Sequence, residues 1–375
     1  MNSMYAGDPC LLSNDMGPVI DCGAATELYN HIERMNKEAT LIAKVELGPH
    51  CNNGSFVAPH VFEIQSINQL HDEVFGPILH VIRYSAKNLN EVINQINETG
   101  YGLTLGIHSR IEAFADTVFH STIAGNTYIN RNTVGAVVGV NPFGGRGLSG
   151  TGPKAGGPNY LYRFSHAGTT GDQSSNNFAF NHNSKSLSPK LSDSVERAKS
   201  AMTKWAYTST QERVNLVLKV CEAITKTALE ALVKDKLCHP LNLPGPTGEN
   251  NQLSLHGRGV MILIIRDEDP AMAISLQIAS ALLCGCSLLI CADNNNSRTV
   301  IDILNHYEAL GLPTNILQII ALDDSASLIQ HPNIAGVIAN SLGANSSVLR
   351  QEMAKRSGCI IPLIEWPKRN ADYNY

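Results

Sequence analysis

Apolar residues recur along this chain with two periods, and turn residues mark where one gives way to the other. In NLNEVINQINET, Leu89, Val92, Ile93 and Ile96 share one face at helical spacing. Residues 24–38 and IEAFADTVFHST read as helices in the same way. ATLIAKVEL and YGLTLGIHS read as strands, SFVAPHVFEI as a strand region bent or edged at Pro59, and GNTYIN and GAVVGV as short β pieces. This alternation predicts an α/β fold up to about Phe164.

Periodicity lapses over 165–190, a polar stretch rich in Ser, Asn and Gly, expected to be a linker or a long extended excursion. It resumes from 191 to 375. Ser192 to Trp205 is helical, and Ser209 to Glu212 has the S-x-x-E form of a capping box opening a second long helix through STQERVNLVLKVCEAITKTALEALVKD. RGVMILII, CSLLICA, ILQIIAL, IAGVIAN and CIIPLIE are near-continuous apolar runs separated by helical ones. One of those helices opens at Pro270 and another closes at Gly311. Strands apolar on both faces that alternate with helices predict a parallel, doubly wound sheet.

Composition narrows the function classes. With 43% hydrophobic and 16% charged residues the chain has material for real cores, and its net charge of −5 leaves no basic surplus for nucleic acid. No apolar run reaches the length of a membrane span, and MNSMYAGDPC lacks the form of a signal peptide. Nine scattered cysteines without a CxxC pair argue against zinc and for a reduced, cytoplasmic protein.

GRGLSG, Gly145 to Gly150, satisfies G-x-G-x-x-G. A pyrophosphate cradle needs a helix opening at its third glycine, yet Gly152, Pro153, Gly156, Gly157 and Pro158 follow. The phosphate reading fails on that context. Two remain, a pocket wall presenting backbone N–H groups beside Phe143, and a surface crossover loop.

Longer motifs carry a resemblance. DMGPVID (Asp15–Asp21), GSFVAPHVFEI, DEVFGPIL (Asp72–Leu79), GYGLTLGIHSR, GNTYINRN and PFGGRGLSG resemble, in order, the motifs of the aldehyde dehydrogenase superfamily. TVGAVVGVNPFGGRGLSGTGPKAGGP is similar to the L-glutamate γ-semialdehyde (1-pyrroline-5-carboxylate) dehydrogenases, and in particular to that half of the bifunctional PutA, or proline utilisation A, family. NLPGPTGENNQLSLHGRGV resembles the start of the extra C-terminal domain of long PutA proteins, a degenerate Rossmann-like relative of the dehydrogenase cofactor domain.

The resemblance implies three regions: 1–164, the C-terminal part of an aldehyde dehydrogenase catalytic and oligomerisation domain; 165–190, the linker; and 191–375, the aldehyde dehydrogenase-like parallel-sheet domain, which is not expected to bind NAD. It implies a parent enzyme that oxidises L-glutamate γ-semialdehyde to glutamate with NAD in proline catabolism. Glu73 matches the residue that accepts the nicotinamide ribose hydroxyls, and Phe75 the aromatic that holds the nicotinamide end. Gly135 and Ala136 match a loop that anchors the substrate α-carboxylate through backbone N–H groups. Some relatives carry serine at Ala136, whose hydroxyl is missing here. Phe143 matches an aromatic flanking the substrate's aliphatic part, while Asn130 either supports the site or is a buried structural residue.

The family's nucleophilic cysteine belongs to a glycine-rich motif upstream of the region matching Met1, and none of the nine cysteines has that context. The cofactor domain, its glutamate base and the FAD-bearing proline dehydrogenase half also match upstream sequence, and long PutA proteins continue past ADYNY. The chain is therefore expected to be an internal piece, inactive alone, with no catalytic residue or metal site of its own. Its expected partners are a small-molecule substrate in the parent enzyme and a second copy or an upstream PutA portion. Serving such a portion as an oligomerisation and tunnel-covering module is the alternative function. The oligomerisation flap is expected around Tyr128 and 160–164.

Overall fold

The computed structural model describes residues 1, 3–164, 187–221, 223–266, 269–293, 296–340 and 345–366, so most of the expected linker, residues 165–186, lies outside them. The chain forms two compact units, Met1–Gly100 and Tyr101–Tyr375.

In the first unit α1 (Cys22–Glu38) is capped by Asp21, whose carboxylate accepts from the Ala24 N–H at 2.8 Å. Its apolar stripe of Ala25, Leu28, Ile32 and Met35 packs on β1 (Thr40–Lys44), β2 (His60–Glu63) and β3 (Ile78–Val81) through Phe62, Ile64 and Ile78. β1 pairs antiparallel and β3 parallel with β2. Pro59 stands just before β2, where its missing N–H costs no ladder bond. α2 (Leu89–Glu98) closes the unit.

The second unit opens with β4 (Tyr101–Gly102) and β5 (Thr104–Ile107). YGLTLGIHS thus makes two strands, because β4 pairs with a distant partner and β5 with another. α3 (Glu112–Ser121) leads to β6 (Asn126–Ile129), parallel to β5, and then to a long loop in which β7 (Arg146–Gly147) pairs with β4. The expected strand GAVVGV does not form. Gly135 and Gly139 both take positive φ, 82° and 78°, and no strand pairs with the segment.

α4 (Pro189–Tyr207) and α5 (Thr210–Val217) follow. Ser209 and Glu212 form the reciprocal capping box. The expected long helix breaks after Val217 into i→i+3 turns, Lys219 to Leu216 and Val220 to Val217, before α6 (Ala223–Lys236). The apolar spacing runs through that break without marking it. A hairpin of β8 (Leu241–Leu243) and β9 (Asn251–Leu253) precedes the main sheet.

That sheet alternates β10 (Val260–Ile264), α7 (Ala271–Leu283), β11 (Ser287–Ala292), α8 (Ser297–Ala309), β12 (Leu317–Ala321), α9 (Ser325–Ile329), β13 (Ile334–Asn340), α10 (Asn345–Ala354) and β14 (Leu363–Trp366). All five strands are parallel in the order β12-β11-β10-β13-β14, the doubly wound arrangement expected from the sequence. Successive side chains enter opposite cores. Met261, Leu263, Leu288 and Ile290 pack with Val217 and Ile278; Ile262, Ile264, Leu289 and Val337 pack with Val195 and Leu349. Coverage on both faces explains why these strands are apolar throughout.

Candidate functional site

The loop between β6 and α4 holds three of the five expected site residues. It leaves β6 through Asn130, whose φ of 56° turns the chain left-handed. Its side chain accepts from the Ser109 N–H at 3.0 Å and donates to the Ser109 carbonyl at 2.9 Å. Asn130 is exposed, so it is not the buried residue of one expectation; it fixes the exit from β6. Arg131 then pairs with Glu249 at 2.8 Å and lies 5.2 Å from the centre of the Tyr128 ring. Tyr128 itself is 6% exposed.

Gly135 and Ala136 are exposed, and among the described residues neither backbone N–H donates a hydrogen bond. A Cβ on Gly135 would meet nothing within 4 Å, so the requirement for glycine there is the positive φ alone. Two adjacent unused N–H groups on a left-handed turn can receive a carboxylate.

Phe143 is held firmly and is half-buried. Its N–H donates to the Ala155 carbonyl at 3.0 Å and the Ala155 N–H returns the bond at 2.9 Å. Asn126, in β6, grips both its neighbours: Nδ2 donates to the Pro142 carbonyl at 2.9 Å and Oδ1 accepts from the Gly144 N–H at 3.1 Å. Lys154 Nζ donates to the same Oδ1 at 3.2 Å and to the Gly125 carbonyl. A Cβ on Gly125 would come within 2.1 Å of the Gly144 carbonyl oxygen, so only glycine permits this approach. Burial, with Arg146 nearby, holds the Lys154 ammonium down to about 8.

GRGLSG is a turn rather than a cradle. Arg146 and Gly147 pair with β4, the Ser149 N–H donates to the Arg146 carbonyl at 3.0 Å, and Ser149 Oγ accepts from the Gly102 N–H at 3.0 Å. No helix opens at Gly150; the next helical turn is the 3₁₀ segment Leu161–Phe164.

Glu73 and Phe75 belong to the other unit, in the exposed loop before β3. Phe75 is 84% exposed, and the Glu73 carboxylate accepts no hydrogen bond and makes no ion pair among the described residues. A free carboxylate and a free ring suit a diol and an aromatic group. The sequence motifs do not disclose the clamp of Asn126 and Lys154, although both lie inside quoted motifs; their pairing depends on loop closure over 28 residues.

All nine cysteines are free thiols. Burial raises the thiols of Cys221, Cys286 and Cys291 and pushes Cys284 up to about 11, which disfavours the nucleophilic thiolate. Among the described residues no three metal-ligating side chains cluster, and no helix is long and apolar enough to cross a membrane.

Residues 1–169 match the model of the aldehyde dehydrogenase family. More particular relatives cover more of the chain. The bifunctional protein PutA of Klebsiella aerogenes is 38% identical over 294 residues, 77% of this chain and 21% of that protein. PutA of Escherichia coli K12 is 34% identical over 360 residues, 95% of this chain and 25% of that protein. The 1-pyrroline-5-carboxylate dehydrogenase of Geobacillus thermodenitrificans is 37% identical over 171 residues, 45% of this chain and 32% of that enzyme. Among solved structures, a mutant PutA from Bradyrhizobium japonicum is 53% identical where it aligns, over 44% of this chain and 16% of that one, with a TM-score of 0.42. A Thermus 1-pyrroline-5-carboxylate dehydrogenase with bound NAD aligns over 43% and 31% at 35% identity and a TM-score of 0.39. The chain spans about a fifth to a quarter of the length of the PutA proteins it matches.

Proposed function

We propose that this chain is part of an NAD-dependent L-glutamate γ-semialdehyde dehydrogenase acting in proline catabolism. The observation that carries this reading is the loop whose free N–H groups at Gly135 and Ala136 are followed by the clamped ring of Phe143, within a domain of the aldehyde dehydrogenase family. The two N–H groups would hold the α-carboxylate and Phe143 would flank the methylene chain. Glu73 would accept the ribose hydroxyls of NAD and Phe75 would hold its nicotinamide end. NAD, when bound, supplies the hydride acceptor for aldehyde oxidation.

On this reading residues 1–164 serve as catalytic-domain sequence and 191–375 as a cofactor-free sheet domain. The thiols of Cys221, Cys284, Cys286 and Cys291 are held protonated, and no cysteine of this chain is assigned as nucleophile. Incubation of the purified chain with L-glutamate γ-semialdehyde and NAD should produce no NADH absorbance. Clear turnover would overturn the claim of inactivity.

A second reading has its own observation. Leu161, Tyr162 and Phe164 are all about three-quarters exposed, a local apolar group suited to association with another chain. Here the chain serves as an oligomerisation and tunnel-covering module for a separately encoded catalytic portion. Sedimentation should then show an assembly that Leu161→Ala with Phe164→Ala dissociates; a monomeric parent chain would exclude self-association through this group.

A further inference from the structure

A group of basic side chains in the second unit remains without a role. His120 ends α3, Arg146 lies in β7, Lys154 follows the glycine turn, and His256 and Arg258 flank Gly257 before β10. Four separate segments bring them together. The His256 ring meets Phe119 edge-on at 5.5 Å and lies 6.2 Å from His120. Arg146 Nη2 donates to the Gly257 carbonyl at 3.3 Å, the carbonyl between His256 and Arg258.

Among the described residues none of the five forms an ion pair. Basic neighbours act on three of them: Arg258 on Arg146, which the Cys286 thiol opposes, Arg146 on Lys154, and Arg146, His120, Lys154 and Arg213 on His256. Arg213 is a separate case, because its guanidinium is taken up by the carbonyls of Trp205, Ala206, Thr208 and Leu283. The chain carries 33 acidic residues and a net charge of −5, yet among the described residues no carboxylate pairs with any of the five. Repulsion among unrelieved cations destabilises a fold unless something else offsets it.

We infer that this cluster is a binding site for a small, multiply charged oxyanion, a phosphate or a polycarboxylate, held by Arg146, Arg258, Lys154 and His256. Arg146 spends one of its five donors on Gly257 and keeps the rest of its fork for an oxyanion. Burial and the surrounding cations hold Lys154 to about 8 and His256 to about 4, and an anion would reverse the second of these causes. The inference shares Lys154 with the Asn126 clamp behind Phe143 but uses neither Gly135 nor Ala136.

Isothermal titration of the full chain with phosphate, citrate and chloride at constant ionic strength tests it. One equivalent of phosphate or citrate should saturate the site and chloride should not. Tighter phosphate assigns a phosphate ligand, tighter citrate a polycarboxylate. Arg146→Gln should weaken binding at least about tenfold. Should that variant fail to fold, Arg258→Gln, at an exposed position, and His256→Gln carry the same expectation. Three results would overturn the site: no saturable heat with either oxyanion, unchanged affinity in the Arg258 and His256 variants, or uptake of heparin alone.

Discussion

Asn126 concentrates more of the loop's geometry than any other single side chain. It touches Pro142, Gly144 and Lys154 at once, from a position 8% exposed. Asn126→Ala leaves the buried Pro142 carbonyl and the half-buried Gly144 N–H without this partner, so it should lower unfolding stability by about 1–3 kcal/mol, readable by urea titration. Lys154 gives a pH signature. Its folded value of about 8 lies below its ordinary 10.5, so the unfolded chain binds more protons between those values and stability rises with pH across that window. The melting temperature of Lys154→Met should lack that rise. His256 follows the same rule lower down: stability falls as pH drops from 6.5 towards about 4, and His256→Gln should flatten the fall. At this scale a family motif carries Gly135, Ala136 and Phe143 in one short string, and the structure places all three on the loop after β6. Asn126 and Lys154 stayed illegible, since their partnership is made by a loop closing in space and leaves no local pattern.

Among the elements, α1 and β3 meet through an imidazole pair. His31 and His80 bring their Nε2 atoms to 2.9 Å with rings 88° apart, so one ring donates and the other accepts. Burial lowers both; Arg34 lowers both further, His80 lowers His31, and Glu38 opposes the shift on His31. The unfolded chain therefore takes up protons first as pH falls below 6.5, and stability falls with it. His31→Gln should reduce that acid sensitivity in a melting series. Ser209→Ala should cost about 1 kcal/mol by removing one arm of the capping box. Such caps and the periods of α1, α2 and β10–β14 were readable because short-range rules govern them. The split of YGLTLGIHS into β4 and β5 was not, because their separate partners lie far along the chain. GAVVGV misled for the opposite reason: its residues favour strand, but two positive-φ glycines and the lack of a pairing strand override them.

The molecule as a whole rests its second unit on a parallel sheet buried on both faces. Ile262, in the central strand and fully buried, should cost about 2–5 kcal/mol when cut to alanine. The order β12-β11-β10-β13-β14 was foreseeable as a class from five apolar strands alternating with helices, whereas the division into units at Gly100 leaves no mark in composition. The proposed function turns on one smaller feature, the two unused N–H groups of Gly135 and Ala136. A titration of ¹⁵N-labelled chain with L-glutamate, following the Gly135 and Ala136 amide resonances, tests it most directly. Saturable shifts of both resonances, lost in Gly135→Val, are the predicted result; resonances that stay fixed at saturating glutamate would contradict the account.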